Sequence, residues 1–346
     1  MKRYNNLYPQ IYDFKNLHNA FLKARRCKRY SPEVLSFSAS LDEHLICLQN
    51  KLIWKSYHPS TYKEFYIHDP KTRLIAAPAF RDRVMHHAVY NVIAPKFDKK
   101  FIYDSYACRP GKGTHKGADR LTDFLGRSIR DWGMVYCLKC DIRSYFLSVQ
   151  HHTLKQTIRK TIKCRNTLWL LDTIIDSCPG DIGIPLGNLT SQLFANIYLD
   201  PLDHFIKELL QIKYYVRYMD DFIILHTDKK VLKQSREEIA CFLFPRGLSL
   251  NDKTSIFPTS HGIDFLGYRI WPTHRLLRKS SIRRAKRKFK MLSRRYREGR
   301  ATRQKIEQSM RSWLSHARHC DSYNVRKTVL KSLVLQTYLK NRTLTQ

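Results

Sequence analysis

The sequence predicts an α+β fold with a central sheet and helical flanks, and three observations carry that expectation. Two apolar and aromatic runs, at 214–217 and 222–225, bracket Tyr218-Met219-Asp220-Asp221. β-branched and aromatic residues favour extended chain, so this segment reads as a hairpin with an acidic pair at its tip. The run 134–140 reads as a further strand and ends at Asp141. After Pro272 the composition turns basic, and apolar residues recur at helical spacing.

In chain order, residues 1–70 are polar and aromatic with a mostly helical pattern. Residues 71–78 read as a basic strand ending at Pro78. Arg81-Asp82-Arg83 then opens a helix with Val84, His87, Ala88 and Val92 at helical spacing. Segment 105–114 is a glycine-rich basic loop that does not fit GxxxxGK[ST], which excludes a Walker-type ATPase. A helical stretch runs from Asp141 to about Asp176, and the loop 180–187 feeds a helix from Asn188 through Leu199. Beyond the hairpin, 247–254 and 265–270 read as short strands. Between Arg275 and Arg300, 13 of 26 residues are Lys or Arg and only Glu298 is acidic. Ile282, Ala285, Phe289, Leu292 and Tyr296 alternate there at three and four residues, the pattern of an amphipathic helix with one basic face. Ile306, Met310, Trp313, Leu314 and Ala317 mark a second helix.

The 346 residues hold 63 Lys and Arg against 29 Asp and Glu, a formal charge of +34. That surplus calls for a polyanionic partner, nucleic acid first. Hydrophobic residues make up 43%, so the charge sits on a chain able to build a core rather than on a disordered basic tail. No apolar run reaches the roughly 18 residues of a spanning helix, and residues 1–6 lead into no signal-peptide core, so no membrane role is expected. Nine cysteines, an odd number without framework spacing, argue against a disulfide scaffold. Cys137 and Cys140 form a CxxC that lacks a second ligand pair and read as small core residues. The doublets His86-His87 and His151-His152 lack metal-ligand spacing and read as surface or core histidines.

Adjacent carboxylates at a hairpin tip repel one another and lose solvation to the sheet below. A divalent cation relieves both costs. If the strand ending at Asp141 lies beside the hairpin, Asp141, Asp220 and Asp221 meet at one sheet edge. Three carboxylates so placed can hold two Mg²⁺ about 3.5–4 Å apart, the geometry of metal-assisted phosphoryl transfer. Hard oxygen donors suit Mg²⁺, and Mn²⁺ can take its place.

In this order, Asp141-(x)4-Phe146, Gly187-(x)3-Ser191 and Tyr218-Met219-Asp220-Asp221 resemble the three central motifs of reverse transcriptases. Lys253 and Phe265-Leu266-Gly267 are similar to that family's last palm motifs, and the resemblance is dense from about Lys71 to Ile270. The run Ile184-Pro185-Leu186-Gly187-Asn188-Leu189-Thr190-Ser191-Gln192 departs from the Gln-Gly-(x)3-Ser-Pro of retroviral and group II intron enzymes. Leu186 before the glycine and Gln192 after the serine resemble the reverse transcriptases of diversity-generating retroelements. Residues 191–203, and Phe80-Arg81-Asp82-Arg83 with the loop 105–113, resemble them as well.

The resemblance implies a right-hand polymerase: basic fingers (1–130), an antiparallel-sheet palm (131–270, with 151–185 packing toward the fingers) and a basic helical thumb (271–346). It implies that Asp141 and Asp220 are the principal Mg²⁺ ligands, with Asp221 in support. Arg73, with Lys71, would meet the triphosphate of the deoxynucleotide; Phe146 would be a steric gate under its sugar. Leu186 and Gly187 would lie against the nascent pair and Lys253 at the leaving pyrophosphate. Arg283, Arg284, Arg287, Lys290 and Arg294 would contact nucleic acid. The implied activity is RNA-directed DNA synthesis, copying a template-repeat RNA into cDNA with errors at adenines that diversifies a target gene. The implied partners are the template RNA, the cDNA and target DNA, and a small basic accessory variability protein, in a bacterial cytoplasm. Two rival readings stand beside it: a retron or group II intron-like reverse transcriptase, and a non-polymerising RNA-binding protein of the same fold. Leu186 and Gln192 weigh against the first, and the acidic trio against the second.

Overall fold

The computed structural model describes residues 3–68 and 72–331. Four helices come first: α1 (Tyr8–Tyr12), α2 (Phe14–Ala24), α3 (Pro32–Ala39) and α4 (Leu41–Ile53). They bury Ile11, Leu17, Phe21, Leu45 and Leu52. The Asp13 carboxylate accepts the Asn16 N–H at 3.1 Å and so caps α2, satisfying one otherwise orphaned donor. Then comes a hairpin that lies partly within the region read as helical. Strand β1 (Lys63–Ile67) pairs antiparallel with β2 (Arg73–Ala77), Ile67 opposite Arg73. β1 is exposed along its whole length, so no buried/exposed alternation announces it in the sequence. β2 is the strand expected at 71–78; Lys71 itself lies outside the described residues.

Next are α5 (Phe80–Asp98), α6 (Thr114–Trp132) and β3 (Tyr136–Asp141). The single helical stretch expected after Asp141 is three helices, α7 (Tyr145–Ser148), α8 (His151–Arg159) and α9 (Arg165–Ile175). Extended backbone at Val149, Gln150 and Cys164 interrupts it. Helix α10 (Leu189–His204) starts where expected, continues past Leu199 and runs into a π-helical turn, Phe205–Leu209. The predicted hairpin is present as β4 (Tyr214–Tyr218) and β5 (Asp221–His226), followed by α11 (Lys229–Leu243). Residues 247–254, expected as a strand, contribute only an isolated bridge from Leu250 to Ile142; the strand is β6 (Ser255–Pro258). Residues 265–270 belong to a tight hairpin, β7 (Ile263–Phe265) and β8 (Tyr268–Ile270), turned at Leu266-Gly267. Arg275–Leu277 is strand β9, so the basic helix α12 begins only at Lys279 and runs to Arg297. Helices α13 (Arg303–Ala317) and α14 (Tyr323–Lys331) complete the described chain.

Contacts divide the chain into two units. The first comprises residues up to Gly113, Leu138–Ile224 and Lys230–Ser255; the second comprises Thr114–Cys137, Leu225–Lys229 and residues from Ile256 onward. The four-stranded sheet has the order β4-β5-β3-β6. Its apolar side chains in the first unit, Leu138, Cys140, Val216, Phe222, Ile223 and Ile224, are buried. Cys137 is buried too, so both cysteines of the CxxC are core residues, as read. Helices α5 and α10 bury most of their surfaces in this unit and are joined by a 2.6 Å hydrogen bond between His86 Nδ1 and Thr190 Oγ1.

In the second unit β7, β8 and β9 form an antiparallel sheet. The stripe Ile282, Ala285, Phe289, Leu292 and Tyr296 of α12 packs with Ile306, Met310, Trp313 and Val329, as its spacing predicts. Phe289 and Trp313 meet edge to face with ring centroids 5.8 Å apart. Among the described residues no helix is long and apolar enough to cross a membrane.

Candidate active site

The site is built where β3 ends beside the β4–β5 turn, within the first unit. A strand pattern that finishes in Asp141 places that carboxylate at the sheet's edge, and the next residue meets the hairpin directly. The Ile142 N–H donates to the Asp220 carbonyl at 3.2 Å. The two acidic residues, 79 positions apart in the sequence, are thereby brought together, as the sequence predicts. Asp220 is largely withdrawn from water, and this burial raises its proton affinity above the ordinary carboxylate range. The Asp141 charge adds to the rise, while Arg73 and Arg217 oppose it. Arg73, first residue of β2, therefore faces the same electrostatic environment as the acidic pair, although its side chain is exposed.

Asp221 is placed differently. It opens β5 rather than the turn, and its carboxylate stands 4.0 Å from Lys139 Nζ. Among the described residues no three His, Cys, Asp or Glu side chains surround a common ion position. The donor set that fits a hard cation is Asp141 with Asp220, and Mg²⁺ ordinarily completes its shell with water and substrate phosphate oxygens.

Asn251 was missed by sequence reasoning. Its backbone N–H donates to the Asp141 carbonyl at 2.7 Å, and its side-chain amide donates to Asp141 Oδ2 at 3.1 Å. Its own side-chain oxygen accepts the Lys253 N–H at 3.1 Å. Lys253, expected at the pyrophosphate, is thus exposed on a turn organised by Asn251. An asparagine holding its own turn is a common local motif, and only its placement beside Asp141 gives it a role.

The other predicted nucleotide contacts fall on two neighbouring segments. The Ala76 N–H of β2 donates to the Leu186 carbonyl at 2.9 Å, so the strand carrying Arg73 is tied to the loop carrying Leu186. Gly187 permits this approach: its φ is +126°, and a Cβ there would stand 3.0 Å from the Ala76 carbonyl oxygen. Asn188 extends the contact by donating to the Tyr62 hydroxyl at 3.0 Å. Phe146 lies on the short helix α7 behind Ser144, which adopts a left-handed conformation (φ 46°). Its ring is half-buried rather than in the core, and its carbonyl accepts the Ile184 N–H at 2.8 Å. Arg81 and Asp82 brace the segment before β1 through His58, Ser60 and Tyr57.

In the second unit, Arg283, Arg284, Arg287, Lys290 and Arg294 all lie on the exposed side of α12. That is a surface for polyanions.

A sheet edge that gathers two carboxylates beside a cationic strand defines a site of the nucleotidyl-transfer class. Residues 67–270 match the family described as reverse transcriptase (RNA-dependent DNA polymerase), and the chain belongs to that family. Protein YkfC of Escherichia coli (strain K12) is 27% identical over 291 residues, covering 70% of this chain and 74% of that protein. The group II intron-encoded protein LtrA of Lactococcus lactis subsp. cremoris is 26% identical over 167 residues, 44% of this chain and 26% of LtrA. Among solved structures, apo telomerase from Candida Tropicalis aligns with a TM-score of 0.52 at 14% identity, covering 85% of this chain and 64% of that chain. That last likeness is one of fold, and it accords with the right-hand polymerase architecture expected from the sequence. The chain spans about a quarter of LtrA and just under two thirds of the telomerase chain.

Proposed function

We propose that this chain is an RNA-directed DNA polymerase and, within that class, the reverse transcriptase of a diversity-generating retroelement. The observation that supports the first part is the meeting of Asp141 and Asp220 at one sheet edge, with Arg73 beside them. In the reaction, a primer 3′-hydroxyl attacks the α-phosphate of a deoxynucleoside triphosphate, a phosphodiester bond forms and pyrophosphate leaves. Arg73 binds the triphosphate by charge. Phe146 fills the space under the sugar and rejects a 2′-hydroxyl. Leu186, anchored through its carbonyl, forms the apolar wall against the nascent pair, and Lys253 offers a cation to the departing pyrophosphate. Asp141 and Asp220 would hold Mg²⁺, with Asp221 in support; bound there, it would supply activation of the attacking oxygen and neutralisation of phosphate charge. The basic face of α12 receives the template–primer backbone, since RNA–DNA hybrids are bound mainly by shape and phosphate. Primer extension on an RNA template tests this reading. Asp220→Ala should abolish extension, and Asp220→Ala extending at the wild-type rate would sink it.

The finer assignment rests on Leu186-Gly187-Asn188-Leu189-Thr190-Ser191-Gln192. On this reading the substrate is a template-repeat RNA and the product is adenine-mutagenised cDNA that replaces part of a target gene by mutagenic retrohoming. A small basic accessory variability protein assists, in a bacterial cytoplasm and from a bacterial or phage gene. The similarity to LtrA favours a second reading, a group II intron-like enzyme of ordinary fidelity. Sequencing cDNA made from a defined RNA separates the two: errors concentrated opposite template adenine support the first, and an even, sparse spectrum supports the second.

A further inference from the structure

Among the described residues Arg217 is the largest fully buried side chain, and it sits two residues before the turn that carries Asp220. All five of its N–H donors are engaged. Nε and one terminal nitrogen grip both oxygens of Asp203, at 2.7 and 2.5 Å. That same terminal nitrogen also donates to Ser105 Oγ at 3.2 Å. The other terminal nitrogen donates to Asn196 Oδ1 at 3.3 Å and to the Met219 carbonyl at 2.9 Å. Asp203 is equally inaccessible, and its Oδ1 takes a further hydrogen bond from the Tyr215 hydroxyl at 2.6 Å.

Stability alone does not account for such a pair. Withdrawing two charges from water costs much of what their attraction returns, and an apolar side chain of similar volume would often serve a strand better. What no apolar side chain supplies is a donor to the Met219 carbonyl. Met219 has φ 58°, a left-handed conformation that side-chain-bearing residues adopt under constraint. The guanidinium grips the peptide that joins this residue to Asp220 and is itself held by two other segments of the chain, α10 through Asp203 and Asn196 and the loop at Ser105.

One of those segments is the start of the glycine-rich loop noted in the sequence. The Arg217 N–H donates to the Asp104 carbonyl and the Tyr106 N–H donates to the Arg217 carbonyl, both at 2.9 Å. Ser105 and Arg217 thus form an isolated parallel bridge. Asn196 Nδ2 closes the circuit by donating to the Ala107 carbonyl at 2.8 Å. The loop's first residues are a strut along β4.

We propose that Arg217 is a positioning residue for the acidic turn: clamped by Asp203, Asn196 and Ser105, it sets the Met219–Asp220 peptide and thereby aims the Asp220 carboxylate at the place where Asp141 can share a cation with it. The proposal rests on the polymerase reading of the acidic pair and adds to it a group that touches neither substrate nor ion.

The test uses the full chain and manganous ion alone as probe, followed by electron paramagnetic resonance without nucleotide or nucleic acid. Arg217→Lys keeps the charge, but its donors all leave one nitrogen and cannot span the Asp203 carboxylate and the Met219 carbonyl as the guanidinium does from three nitrogens. It should weaken Mn²⁺ binding about tenfold, the scale of one lost charge-assisted hydrogen bond. In primer extension kcat should fall by a similar factor while KM for the nucleotide changes less than about twofold, because the ground-state contacts to substrate remain. Ser105→Ala, which removes a single partner of the clamp, should move Mn²⁺ affinity in the same direction by about twofold. A folded Arg217→Lys variant with wild-type Mn²⁺ affinity would reduce the pair to a core ion pair and overturn the proposal. If Arg217→Lys does not fold, Ser105→Ala decides by the same criterion. Mn²⁺ binding that survives Asp220→Ala would overturn the carboxylate assignment itself, a different failure with a different signature.

Discussion

The first unit keeps the charges that brace its framework inside, each with named partners, whereas the second displays its charges on a helix face. Arg217 and Asp203 are fully buried, and buried Asp82 is held by Tyr57, Ser60 and Arg81. On α12 the cations Arg283, Arg287, Lys290 and Arg294 are exposed above an apolar stripe. The two styles solve different problems. A reacting phosphate must be met at one point within a few tenths of an ångström, which needs donors with no freedom left. A nucleic-acid backbone is a repeating charge, and a mobile row of cations follows it in any register. Substitutions should therefore act sharply and specifically in the first unit, and weakly and additively in the second.

The largest contrast comes from the carboxylates. Asp220→Ala should reduce RNA-templated extension by more than about a thousandfold, whereas any single cation of α12 changed to Gln should cost only a few-fold. Comparable losses at both places, measured as single-turnover rates at saturating template, would erase the distinction between point contact and diffuse field.

Acid should expose the next difference. His86 is buried between α5 and α10, and burial pushes its pKa from 6.5 down to about 4, against the partial opposition of Asp82. Folding thus favours the neutral ring. Between pH 6.5 and 4 the unfolded chain binds the extra proton, so stability falls as pH falls through that window and is intact above it. The full shift corresponds to about 3 kcal/mol at pH 4. His87 is lowered to about 4 as well, but it is more exposed and contributes less. In the second unit His115 and His316 are also lowered, by burial first and then by neighbouring histidines, and both remain partly solvated. His86→Asn should accordingly flatten the loss of urea resistance between pH 7 and 4.5. An unaltered pH slope would place the acid sensitivity in the second unit instead.

The third difference is one of salt. Replacing Arg283, Arg287 and Lys290 together by Gln should weaken template–primer binding by tens of fold near physiological salt. The slope of log affinity against log salt should become shallower by about 2 to 3, the yield of three lost phosphate contacts. A weaker affinity at unchanged slope would mean that these side chains shape α12 rather than touch phosphate.

How much of this was legible in the sequence follows the same division. The stripe of α12 was readable because 3,4 spacing on a half-buried helix leaves an unambiguous trace. So was the approach of Asp141 to Asp220, since both end apolar runs that had to share one sheet. Strand β1 was not, because a strand exposed on both faces has no period to detect. Asn251 and Arg217 were hidden for another reason: their roles depend on partners distant in sequence, Asp141 110 residues away for the first, and Asp203 and Ser105, 14 and 112 residues away, for the second.

The smallest expected effect tests the finest claim. Leu186 is half-buried, and it is held through its backbone, by the Ala76 N–H, so its side chain can change without moving the loop. The neighbouring Gly187 lacks that latitude: an added Cβ would press on the Ala76 carbonyl at 3.0 Å and shift the strand that carries Arg73. Gly187→Ala should therefore lower synthesis on every template. Leu186→Gln should leave the rate within about threefold while supplying a hydrogen-bonding group where the wild-type wall has only shape. A net gain on the order of 1 kcal/mol in discrimination lowers misincorporation opposite template adenine several-fold. The measurement is deep sequencing of cDNA copied from one RNA by both forms. If the adenine error rate is the same in each, the apolar wall is not what makes this site permissive, and the case for a diversity-generating enzyme loses its structural basis while the polymerase assignment stands.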